Sequence, residues 1–277
     1  MIISIASGKG GTGKTTVATN LALSITEDQL LDCDVEEPNS HIFIKPYFKE
    51  REVVCIPIPE VDESKCNGCG KCQEICAYNA IAVVRNKPLI FPELCHGCGS
   101  CIYFCPETAL KEVEKEIGIT ETGTKNHLHF SHGKLKIGEM MAPPLIKAVK
   151  RKTIKDKTVI IDAPPGTACP MISTIKESDF VILVTEPTPF GLNDLTLAVE
   201  VVRKLKIPFG VIINKSDIGN DDVKNYCGKE NIPILMQIPF NREIAIAYSK
   251  GILLIEAFPK YKNEFIFLYE RILTIKI

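Results

Sequence analysis

The loop Gly8-Lys9-Gly10-Gly11-Thr12-Gly13-Lys14-Thr15 restricts the fold of this chain more than any other stretch. It follows the apolar run Met1 to Ala6, which reads as a buried parallel strand. It precedes Lys14 to Ile25, where Val17, Leu21 and Ile25 recur at helical spacing. Gly-x4-Gly-Lys-Thr between a strand and a helix is a phosphate loop. Its glycines let backbone N–H groups close around phosphate oxygens, and the helix N-terminus adds a favourable dipole. Lys14 is expected on the β- and γ-phosphates and the Thr15 hydroxyl on Mg²⁺. Gly8, Gly10, Gly11, Thr12, Gly13 and Thr16 complete the nucleotide cradle.

Strand and helix patterns alternate through much of the remaining chain. Gln29 to Asp32 and Val53 to Ile58 read as strands, as do 157–162, 179–185, 208–215 and 232–239. Residues 192–205 and the C-terminal stretch read as helices, with a polar helix after 215. With 277 residues, 45% of them hydrophobic, the chain can bury a sizeable core. The expected fold class is α/β, a mostly parallel doubly wound sheet of the P-loop NTPase kind. Residues 1–61 and 116–277 would form this discontinuous domain, with an inserted α+β domain at 62–115.

That insertion holds two similar halves, CNGCGKCQEICAYNAI and CHGCGSCIYFCPETAL. Cys66 aligns with Cys95 and Ile81 with Leu110, both 29 residues apart. The apolar N-terminus follows no basic segment and runs straight into the glycine loop, so it is not expected to be a secretion signal; with no apolar run of membrane-spanning length either, the expected location is the cytoplasm. Twelve cysteines in a reducing compartment point to metal ligation before disulfides. Each half reads C-x2-C-x2-C-x3-C, which lets three thiolates close on an iron–sulfur cubane while the fourth reaches across to the other. The expected ligand sets are Cys66, Cys69, Cys72 and Cys105 for one cluster, and Cys95, Cys98, Cys101 and Cys76 for the second. Zinc is the alternative, although structural zinc sites usually take cysteines in pairs. Cys33, Cys55 and Cys227 read mostly as small buried hydrophobes.

The string KGGTGKTT resembles the deviant Walker A loop of the MinD/ParA/Mrp group of ATPases, and residues 62–115 resemble a bacterial two-cluster [4Fe–4S] ferredoxin. The first resemblance implies that Lys9 crosses a nucleotide-sandwiched dimer to the partner's phosphates, a cation supplied in trans. In LLDCDVEEPN it implies that Asp32 lies close to Mg²⁺ and that Asp34 in switch I positions the attacking water. In VIIDAPPGT it places Asp162 on Mg²⁺ through water and makes Gly166 responsive to the γ-phosphate. In VIINKSD it gives Asn214 the adenine amino group, favouring ATP over GTP. Lys9, Lys14, Asp34 and Asp162 would then carry ATP hydrolysis. Cys169 follows Asp162 by seven residues, an offset shared with a cluster ligand of the nitrogenase iron protein. With no second ligand in view, a packed interface thiol is the favoured reading. The short interval from Leu21 to Gln29 departs from the family pattern and points to a truncated second strand or missing residues.

These resemblances imply an ATP-dependent homodimer, or a heterodimer with a related ATPase, carrying ATP, Mg²⁺ and two [4Fe–4S] clusters. Its output would be electron transfer or iron–sulfur and metallocofactor assembly, with a redox or assembly protein as partner. The alternative is a MinD/ParA-like positioning ATPase whose clusters are structural. A net charge of −1 gives no bulk field for nucleic acid or an anionic membrane. The terminus NEFIFLYERILTIKI has few positive charges and should pack as a last helix. The C-x-x-C of Mrp relatives is absent, since Cys227 stands alone. His127, His129 and His132 lie near each other in KNHLHFSHGK, and His127 and His129 are expected to share one solvated strand face, without an acidic partner.

Overall fold

Strands that are apolar on both faces need cover on both sides, and the helices of this chain supply it. The computed structural model describes residues 1–25 and 28–275. Its strands are β1 (Ile2–Ala6), β2 (Asp28–Asp32), β3 (Tyr47–Val61), β4 (Ile81–Val84), β5 (Lys87–Ile90) and β6 (Leu110–Lys125). They continue as β7 (Leu128–Leu135), β8 (Thr158–Asp162), β9 (Phe180–Thr185), β10 (Phe209–Asn214) and β11 (Ile234–Ile238). The chain divides into a first unit, residues 1–51, 120–134 and 146–277, and a second, residues 52–119 and 135–145. The second unit is thus drawn wider than the 62–115 insertion read from the cysteines.

Among the described residues the main sheet runs in the order β11-β10-β9-β1-β8-β2-β7-β6-β3, and residues 52–61 of β3 and 110–119 of β6 belong to the second unit. Pairs from β11 through β7 are parallel. Alternate side chains serve two cores. Phe180, Ile182 and Val184 of β9 join one with Val17 and Leu21 of the helix Lys14–Ser24. Val181 and Leu183 join the other, with Leu195 and Val199 of the helix Pro189–Lys204. That helix starts where Thr188 caps it by accepting from Gly191 N–H at 3.0 Å, with Pro189 in its first turn. Arg203 and Lys204 complement the dipole at its end.

The C-terminal helix, Lys260–Ile275, buries Tyr261, Phe265, Leu268 and Ile272 in the first core. Each such apolar side chain contributes about 2 kcal/mol on burial. Among the described residues, no helix is long and apolar enough to cross a membrane. Strand β2 has five residues, as β1 and β8 do, and the interval before it includes residues 26–27, which lie outside the described residues.

His127 and His129 do not share a strand face. His127 sits in the turn between β6 and β7, and His132 is fully buried. The cause is topological: β7 lies inside the sheet between β2 and β6. His132 also has the acidic partner that the sequence did not reveal, with Nε2 3.0 Å from Glu121 Oε2.

The second unit has a small core of Ile81, Cys101 and Leu110, with Val61, Ile75 and Ile90 packed against it. Strands β4 and β5 pair antiparallel, Ile81 opposite Ile90 and Val84 opposite Lys87. Arg85 and Asn86 both take positive φ, 48° and 61°, as a two-residue hairpin of type I′ requires. The 29-residue repeat is written into the backbone. Short helices begin at Lys71 and Ser100. Asn79 and Thr108 are left-handed at φ 53° and 48°.

Candidate functional site

The phosphate loop lies at the C-terminal end of β1, where ligand sites of parallel sheets collect. Gly8 packs so closely that a Cβ there would collide with the Asp194 carbonyl in the helix Pro189–Lys204. Gly13 precedes the helix Lys14–Ser24 at φ 99°, and its added Cβ would stand 2.5 Å from Asn214 Nδ2. Asn214, at the end of β10, donates that Nδ2 to the Thr12 carbonyl at 2.9 Å and accepts from Lys215 N–H at 3.0 Å. Its side chain therefore supports the loop, and each of its two polar atoms retains one further bonding position.

The loop borders a cavity of about 500 Å³, the size of a small-molecule site. Gly10, Gly11, Gly13, Lys14, Thr15 and Thr16 line its loop side. Lys14 is buried, whereas the half-buried Lys9 is not among the described residues lining the cavity. The structure thus separates the two lysines. Opposite lies an apolar wall that includes Ile238, Pro239, Phe240 and Tyr248. Sequence reasoning missed this wall, which comes from the end of β11 and the segment after it and carries no motif.

The three expected aspartates converge. Asp32 stands opposite Asp162 in the β2–β8 register, and both are buried. Asp32 accepts from the backbone N–H groups of Asp34 at 3.1 Å and Ser40 at 3.0 Å. Burial, then the Asp162 charge, holds its carboxyl well above the usual range. Asp162 is also raised by burial, against the pull of Lys14 and of hydroxyl bonds from Thr15 and Ser40. Its Oδ1 is buried and without a partner. An orphaned carboxylate oxygen facing Lys14 and Thr15 fits a hydrated divalent cation. Asp34 lines the cavity and is pushed up to about 7, first by burial and then by Asp162, with Lys14 opposing. Ser40, which touches both Asp32 and Asp162, is a second residue the sequence did not signal. Gly166 N–H is donated to the Ser7 carbonyl at 3.0 Å.

In the second unit the cysteines gather as two sets. One cavity is lined by Cys66, Cys69, Cys72 and Cys105. The other is lined by Cys76, Cys95, Cys98 and Cys101. Each set takes three thiols from one half of the repeat and one from the other. Backbone N–H groups point at sulfur at equivalent places: Ala80 to Cys76 Sγ and Ala109 to Cys105 Sγ, both at 3.3 Å. Ser100 lowers the Cys98 thiol by hydrogen bonding, while burial pushes Cys101 up to about 11. Among the described residues, no three His, Cys, Asp or Glu side chains converge tightly enough for a single metal ion. Four thiols around a shared space, with N–H donors to sulfur, fit a larger polynuclear group.

The remaining cysteines divide. Cys33 and Cys227 are buried, Cys55 is half-buried, and Cys169 is exposed at the start of the helix Cys169–Ile175.

Residues 3–255 match the family described as the CobQ/CobB/MinD/ParA nucleotide binding domain. A Methanocaldococcus jannaschii protein of uncharacterized function, MJ0578, is 34% identical over 278 residues, spanning 98% of this chain and 96% of its own. An iron-sulfur cluster carrier protein of Pyrococcus furiosus is 24% identical over 279 residues, spanning 90% of this chain and 77% of its own. In three dimensions, the septum site-determining protein MinD of Pyrococcus horikoshii, solved with Mg-ADP, aligns with a TM-score of 0.58. It is 20% identical, and the alignment covers 100% of this chain and 98% of that one, a likeness of fold.

Proposed function

Because this chain belongs to the CobQ/CobB/MinD/ParA nucleotide-binding family, and so is a P-loop ATPase of the MinD/ParA type, we propose that it is an ATP-driven dimer switch carrying two [4Fe–4S] clusters. Its ATP cycle serves electron transfer or metallocofactor assembly in a protein partner. One observation carries this reading: a single chain holds a phosphate loop on a nucleotide-sized cavity and two cavities lined by four cysteines each.

ATP binds with its phosphates in the loop, held by backbone N–H groups and Lys14. The base lies toward Phe240 and Tyr248, with the spare positions of Asn214 in reach of a purine edge. Thr15 and Asp162 are the residues that would hold Mg²⁺, which would neutralise phosphate charge. Asp34 orients the attacking water. Its carboxyl lines the cavity beside Lys14 and can take up the proton released. Lys9, outside its own chain's cavity, serves the nucleotide of a second copy and stabilises charge there. Hydrolysis removes the γ-phosphate that holds Asp34 and Gly166 in place, and the dimer opens. When bound, the clusters supply one-electron chemistry. The cysteine sets and the Ala80 and Ala109 N–H groups hold them and temper their charge.

The test is an oxygen-free preparation. About eight irons per chain, a dimer formed with a non-hydrolysable ATP analogue, and a cluster potential that moves on adding ATP are expected. A colourless chain that stays a single subunit with the analogue overturns the proposal. An unchanged potential in an iron-loaded, dimerising chain assigns the clusters a structural role, as in a positioning ATPase.

A further inference from the structure

The two halves of the 29-residue repeat differ at several aligned positions, and two such pairs meet across the halves at the cysteine cavities. Asn67 and His96 each follow the first cysteine of their half, and Tyr78 and Glu107 each stand two residues after the fourth. The fourth cysteine of each half serves the opposite cavity, so these residues meet as two cross-half pairs. Asn67 and Glu107 line the cavity of Cys66, Cys69, Cys72 and Cys105. Tyr78 and His96 line the cavity of Cys76, Cys95, Cys98 and Cys101.

The pairs are of opposite chemistry on one backbone. Asn67 Nδ2 donates to Glu107 Oε1 at 3.0 Å, an exposed bond to a carboxylate that water must hydrate. His96 stacks on Tyr78 with ring centroids 3.5 Å apart and planes 7° from parallel. Rings stacked this closely leave no room for water between their faces, although Tyr78 and His96 are themselves exposed on their outer side. Beneath them, the N–H bonds to Cys76 and Cys105 have the same length. The difference between the two sites at these positions therefore lies in side chains.

We propose that the Tyr78–His96 stack is a cover over the site of Cys76, Cys95, Cys98 and Cys101, slowing entry of water and dioxygen. The Asn67–Glu107 pair leaves the other site open. The two sites thus differ in lability, and the covered one keeps its iron longer. This rests on the reading of both cavities as iron–sulfur sites. Lys71 also lines the open site and Glu112 the covered one, so the test uses neutral probes.

The full chain, loaded with iron and sulfide without oxygen, is transferred to air-saturated buffer containing 2,2′-bipyridine, and iron release is followed by absorbance. Two phases of equal size are expected. His96→Ala and Tyr78→Ala each accelerate the slow phase about tenfold and leave the fast phase unchanged. His96→Phe, which keeps a ring over Tyr78, preserves the slow phase. The reciprocal double variant Asn67→His with Glu107→Tyr slows the fast phase. A wild-type chain holding its full iron but losing it in one phase overturns the inference alone, as does a slow phase indifferent to both alanine variants. A chain that takes up no iron overturns the inference together with the cluster reading.

Discussion

The hydroxyl of Ser40 lies 3.2 Å from Asp162 Oδ2, joining the segment after β2 to the end of β8. The same residue donates its backbone N–H to Asp32. Ser40 therefore bridges two buried carboxyls that repel each other. Ser40→Ala removes the hydroxyl bond and leaves Asp162 a partner short. ATP turnover is expected to fall about tenfold, and stability by about 1–2 kcal/mol in urea unfolding. Unchanged turnover would show that Asp162 is held by other contacts.

Gly13→Ala would place a methyl 2.5 Å from Asn214 Nδ2 at a backbone angle that L-residues rarely take. The expected strain is about 1–3 kcal/mol. Nucleotide affinity should drop by about tenfold or more in calorimetric titration. Adding Asn214→Ala relieves the clash, so the double variant should lose less than the sum of the singles.

Lys14 and Lys9 should separate by assay. Lys14→Ala is expected to abolish nucleotide binding by the single chain. Lys9→Ala should leave that affinity nearly unchanged and lower turnover by about a thousandfold, with loss of the analogue-induced dimer. Light scattering and a fluorescent nucleotide read the two effects independently.

His132 gives a pH prediction. Burial pushes it from 6.5 down to about 4, while its bond to Glu121 opposes the shift. Its unfolded form therefore takes the proton first. The stability that rests on neutral His132 is whole above pH 6.5 and is lost as pH falls from about 6.5 to about 4. In unfolding curves across that window, His132→Gln should flatten the decline by about 2 kcal/mol.

Cys105→Ser removes one thiol from the cavity of Cys66, Cys69 and Cys72 and none from the other. Iron content is expected to fall to about half, with the surviving electron paramagnetic resonance signal intact. Cys55→Ser, outside both cavities, should keep the full content.

Much of this was legible in the sequence, because local pattern and global structure agree there. The phosphate loop announces itself by Gly8, Gly13 and Lys14, and the strands by continuous apolar runs that only a doubly covered sheet can bury. The cysteine spacing foretold which four thiols would share each cavity. What escaped was set by contacts distant in sequence. Ser40 meets Asp162 across 122 residues. The Glu121 partner of His132 comes from a neighbouring strand, β6, that no periodicity marked. Phe240 and Tyr248 reach the cavity from a segment without a recognisable pattern.

The exchange of Cys76 and Cys105 between the halves has a consequence for how the cysteine-rich unit can be altered. Neither half is a self-sufficient module, since each would lack its final thiol if expressed alone. Severing the peptide at the Arg85–Asn86 hairpin and discarding one fragment would deprive both centres at once. The two copies of the repeat therefore stand or fall together.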